Sequence, residues 1–151
     1  MKLRFFLIPA LLTVIVAIAV ISCSKSNNGS KPTISIKSIN SPIDSTGGME
    51  AVISFNSPSG KLGQGTFLAI RKRLNKRPPN LPSASQNDTF TKPLNIPDFP
   101  DNKGEFHYTM QWIYLHESDF ENDTLVFKFA AIDRNGHSSD TITSPKIVII
   151  K

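Results

Sequence analysis

The chain has a single cysteine, Cys23, among 151 residues. No disulfide can form within it, so its stability must come from packing. Zinc sites built on cysteine pairs are excluded for the same reason. Histidine is also scarce: His107, His116 and His137 are all there are, and no two stand four apart as a helical metal pair would. There is no Gly-x-Ser-x-Gly elbow for a nucleophilic serine and no glycine-rich loop opening a helix for a phosphate. Beyond residue 32 no segment has the 3.6-residue apolar period of an amphipathic helix, which excludes a helical bundle. These gaps argue against an enzyme and against a cofactor or metal. Paired carboxylates that meet only in space would leave no such trace, so a small hydrolase stays open as a further alternative.

What is present begins with the N-terminus. Lys2 and Arg4 precede an apolar run from Phe5 to Ile21, broken only by Pro9 and Thr13, and Ser22-Cys23 follow. A charged start, an apolar stretch and a small residue before the cut are the parts of a secretory signal. The run is short for a spanning helix, which wants about 20 apolar residues. Val20-Ile21-Ser22-Cys23 resembles the lipobox of bacterial lipoproteins. That resemblance implies a helical signal peptide over 1–22, cleavage before Cys23, and a lipid on the Cys23 thiol. The mature chain would then keep 15 Lys and Arg against 12 Asp and Glu, a net charge of +3. So mild an excess on an exported chain gives no reason to expect nucleic acid as a partner.

Residues 23–32 are small and polar and read as a tether. From residue 33 the period is two. Ile34 and Ile36; Ala51, Ile53 and Phe55; Leu68 and Ile70; Phe106, Tyr108, Met110, Trp112 and Tyr114; and Leu125, Phe127, Phe129 and Ala131 each share a strand face. Ile142 and 147–150 close the chain. Turn clusters separate the runs, among them Ser45-Thr46-Gly47-Gly48 and Arg134-Asn135-Gly136. The segment 75–104 carries six prolines and is expected to be an irregular connection with one short edge strand near Thr89–Thr91. Six or seven strands in residues 33–151 predict an all-β, antiparallel sandwich. Its core is expected from Ile34, Ile36, Ile53, Phe55, Leu68, Ile70, Phe106, Tyr108, Met110, Trp112, Leu125, Phe127 and Phe129.

The stretch 125–142, LVFKFAAIDRNGHSSDTI, resembles the last hairpin of bacterial immunoglobulin-like and fibronectin-III-like domains, with Asp133, Gly136 and Ser138 in the Asp-x-x-Gly-x-Ser places. With the lipobox and the tether, the whole resembles small single-domain lipoproteins of Bacteroidetes. Ser24 and Lys25 follow the lipidated Cys with no acid behind them, which implies an outer-membrane protein facing the periplasm. Asp44-Ser45-Thr46, Asp123-Thr124-Leu125 and Asp140-Thr141-Ile142 resemble O-glycosylation sites of exported proteins from that group, with Ser45, Thr124 and Thr141 as the acceptors.

The remaining candidates are clusters. Glu117, Asp119, Glu121 and Asp123 alternate as calcium ligands do, but lack the glycine of a calcium loop, so a solvated turn is expected. Asp133-Arg134-Asn135-Gly136 reads as a tight turn. Arg71, Lys72, Arg73, Lys76 and Arg77 form the densest cationic run. On a strand Arg71 and Arg73 share a face; contact with lipid phosphates is one reading and a solvated strand end the other. The function expected is a lipid-anchored, non-enzymatic interaction or structural module of the cell envelope, with a protein or glycan partner. The alternative is a carbohydrate-binding module that uses Trp112, Tyr108 and Tyr114, because aromatic rings stack on sugars.

Overall fold

The computed structural model describes residues 31–58, 60, 62–79, 87–93 and 102–151. The expected signal peptide, the expected lipidation site at Cys23 and most of the expected tether lie outside these residues. Eight strands run in chain order: β1 (Thr33–Ile39), β2 (Gly48–Asn56), β3 (Thr66–Arg73), β4 (Asn87–Pro93), β5 (Lys103–Gln111), β6 (Asp123–Ile132), β7 (Ile142–Thr143) and β8 (Ile147–Ile149). They form two antiparallel sheets packed as a sandwich. One has the order β1-β2-β5, the other β4-β3-β6-β7, with β8 also on β6. β4 is the expected edge strand, two residues longer at each end than the Thr89–Thr91 reading.

Alternation decides what lies between the sheets. β6 turns Leu125, Phe127, Phe129 and Ala131 inward, and β2 turns Met49, Ala51, Ile53 and Phe55 against them. Tyr108, Phe67, Phe129 and Phe127 form a continuous ring cluster, with Phe67 and Phe129 stacked at 5.3 Å. Ile147 and Ile149 on β8, with Leu115 and Ile43 from the loops, close the core. All eight strands and this entire cluster fall within residues 31–151.

Two expectations are corrected. Leu68 and Ile70 do not face the core: the register Phe67↔Ala131 and Ala69↔Phe129 puts Phe67 and Ala69 inside, and Ile70 stands exposed. Both faces of β3 are apolar there, and the bulk of Phe67 takes the inner side. The fifth strand does not reach Tyr114. It ends at Gln111, and Trp112–Tyr114 form a 3₁₀ turn in which Leu115 N–H donates to the Trp112 carbonyl. This turn lets Leu115 enter the core fully buried, while Trp112 stays half-buried with its indole N–H on the Ile150 carbonyl. In the final hairpin Ser138 bridges to Ile132, and the next residue, Ser139, accepts from Ala131 N–H through its hydroxyl and donates to the Asp140 carbonyl.

The sandwich has two distinct ends. At the near end the chain comes in at Lys31, which pairs with Asp140. There Asp133, buried beneath the turn, accepts N–H bonds from Asn135 and His137, and Gly136 takes φ +86°. Burial pushes the Asp133 carboxyl up, but these bonds and the His137 ring outweigh it, and its pKa falls below the usual value. The far end holds the 3₁₀ turn, the loop 115–122, the segment after β3 and the C-terminus.

Candidate functional site at the far end of the sandwich

Two arginines that read as a solvated strand end are buried. Arg71 is 5% exposed and Arg73 3%. They share the inner face of β3, as the alternation requires, and four carboxylates converge on them. Arg71 pairs with Asp88 of β4 and with Glu117, and donates to the Tyr114 carbonyl. Arg73 pairs with Asp123 and with Glu121 at 3.0 Å, and donates to the Arg77 carbonyl. Asp123 also accepts the N–H groups of Glu117 (2.7 Å) and Ser118 (3.0 Å). The acidic run 117–123 is therefore not a solvated turn. Glu117 and Asp123 are inside, while Asp119 stays exposed beside His116.

Burial has electrostatic consequences. Desolvation pushes the Glu117 carboxyl above the ordinary carboxylate range, with the Arg71 charge pulling against it. Desolvation also lifts the Tyr108 phenol to about 12, again opposed by Arg71. A buried network of this kind costs desolvation energy, and what it supplies is fixed geometry. Here it ties β3, β4, the 3₁₀ turn and the loop 115–122 to one another.

Above this network stand the exposed apolar residues. Ile113 is 63% exposed, Tyr114 61% and Phe120 58%. Leu74 and Ile150 are also exposed at this end; Ile70, on the outer face of β3, completes the exposed large apolar side chains among the described residues. Arg77 lies over the Phe120 ring, 4.6 Å from its centroid. Among the described residues none stands out at the near end, and the exposed apolar side chains mark the far end.

The sequence candidates are scattered by the fold. Tyr108 is in the core, Trp112 is half-buried with one ring face stacked on His116 at 4.3 Å, and only Tyr114 stands clear. These three side chains make no common platform. Of the acceptor candidates, Ser45 and Thr141 are exposed and Thr124 is half-buried in β6. Ser45 lies in the turn that Asp44 caps through the Thr46 hydroxyl and N–H, bonds that lower the Asp44 pKa. His107 is exposed and pairs with Glu50, and His137 is exposed beside Asp133; His116 is the histidine that burial reaches. Among the described residues no group of three His, Cys, Asp or Glu side chains is placed to hold a metal ion. An open depression of about 310 Å³ lies between Gly47–Glu50 and Thr109–Gln111, at the margin of the far end. No protein-family model, no curated protein and no solved structure matches the chain.

Proposed function

We propose that this chain is a lipid-tethered, non-enzymatic interaction module of the bacterial cell envelope, anchored through Cys23 in the outer membrane and facing the periplasm. One observation carries the interaction reading: Ile113, Tyr114 and Phe120 stand exposed together at the end of the sandwich opposite the point where the chain comes in. Large apolar side chains gathered at one end of a folded domain mark a contact surface. A buried ion network holding their backbone in place makes that surface preorganised.

The strand order supports the immunoglobulin-like or fibronectin-III-like assignment. β1, β2 and β5 share one sheet, and β3, β6 and β7 the other, as strands A, B, E and C, F, G do in that architecture; β4 sits on β3 rather than on β5. A carbohydrate-binding reading keeps Tyr114 as its one open ring. The tether is tested by metabolic labelling. The protein is expected to incorporate radiolabelled palmitate, and Cys23→Ala to abolish labelling and leave precursor or released protein. Labelling that survives this substitution would contradict the anchor.

A further inference from the structure

We infer that the far end of the sandwich docks on a phospholipid surface with anionic headgroups. This deepens the tethered-module reading and rests on it for the nearness of a bilayer. The contact side chains sit on two separate segments, Ile113 and Tyr114 on the 3₁₀ turn and Phe120 on the loop that follows. None of the three lines the depression between Gly47–Glu50 and Thr109–Gln111. All three are more than half exposed, which suits insertion into the boundary between headgroups and acyl chains. A tyrosine with an apolar ring and a polar tip is at home at that depth. For a sugar the same end is poorer, because one face of Phe120 is already covered by Arg77.

Charge selects the kind of lipid. The exposed charged side chains here are Lys72, Lys76, Arg77 and Lys151 against Asp44 and Asp119. The half-exposed carboxylates Asp88 and Glu121 are turned inward onto Arg71 and Arg73. The cationic run of the sequence is thus divided by the fold: Arg71 and Arg73 hold the end together from within, and Lys72, Lys76 and Arg77 remain outside, with Arg77 over the Phe120 ring. Cations close to an anionic membrane surface add to apolar insertion. Lys31 is tied to Asp140 and Pro32 is buried, so eight residues, 23–30, separate the lipid site from the domain. Fully extended they span at most about 29 Å, roughly the 30 Å of a nine-residue strand such as β5. The domain therefore brings its far end to the bilayer that holds its tether by lying along the surface.

The test uses residues 31–151, which hold every strand and the whole core, in co-sedimentation with vesicles of phosphatidylcholine and phosphatidylglycerol in equal parts, and of phosphatidylcholine alone. Binding is expected on the anionic vesicles at 0.1 M salt, as an order-of-magnitude choice of screening. The triple variant Ile113→Ser, Tyr114→Ser, Phe120→Ser should bind at least about tenfold more weakly, with its thermal transition unchanged because all three side chains are exposed. Lys72→Glu with Lys76→Glu should weaken binding severalfold, whereas Lys128→Glu, on the outer face of β6, should leave it alone. No binding to anionic vesicles, or equal binding by the wild-type and triple variant, overturns the inference. So does a photo-crosslinker at position 113 that joins one protein of defined mass in intact cells, an outcome that would leave the interaction module standing. Loss of palmitate labelling would remove the tether and leave the vesicle result as it is.

Discussion

Phe127→Ala is expected to lower the unfolding free energy by about 3–5 kcal/mol, read by denaturant unfolding with the slope unchanged. Phe127 is fully buried at the centre of β6 and stacks on Phe129 with centroids 5.7 Å apart. Its other ring neighbour is Tyr108 at 6.4 Å, across the sandwich on β5. Truncation removes the transfer energy of the ring and leaves a cavity between two sheets that cannot close over it. Lys128, one residue along, is exposed and pairs across the sheet with Ile70 and Thr143. Lys128→Ala should stay within about 0.5 kcal/mol. An equal loss for both substitutions would mean that the register of β6 is wrong.

Asp123→Ala is expected to cost about 3–5 kcal/mol as well, for a different reason. Asp123 is fully buried, faces the Arg73 guanidinium, and accepts two backbone N–H groups from the loop 115–122. Without it the Arg73 charge stays inside the protein, still paired with the half-exposed Glu121. The N–H groups of Glu117 and Ser118 lose their acceptor at the same time. Arg73→Met alone strands Asp123 in turn. The double variant Arg73→Met, Asp123→Ala should cost less than the sum of the two, by about 0.5–3 kcal/mol, because neither charge is left behind. Strict additivity in that double-mutant cycle would show that the two groups do not act as a pair.

Much of the sandwich was legible because bulk and alternation agreed. On β6 the large side chains Leu125, Phe127 and Phe129 lie on one parity and Lys128 on the other, so only one face fits a core. On β3 the two signals conflicted. Phe67 and Ala69 oppose Leu68 and Ile70, and the face that holds Phe67 also holds Arg71 and Arg73. An arginine pair argues for water unless carboxylates come to meet it. Asp88, Glu117, Glu121 and Asp123 do so from 17 to 50 positions away, a convergence that periodicity does not report. The acidic run at 117–123 was visible, but nothing local showed that Glu117 and Asp123 turn inward. The end of β5 was hidden too, since Trp112 and Tyr114 continue the alternation of Phe106, Tyr108 and Met110 into a 3₁₀ turn. Ile113, apolar at a position expected to face water, was the one sign in the sequence that the strand had stopped there.

Oxidative footprinting of side chains reports whether the far end is covered in the cell envelope. Hydroxyl radicals label exposed aromatic residues, and the purified domain should be modified readily at Tyr114 and Phe120, which are 61% and 58% exposed. On intact cell envelopes both rings should be protected, while exposed residues of the near end, such as His137, are labelled as in the purified protein. Tyr114 and Phe120 labelled as fast in the envelope as in the isolated domain would contradict the account.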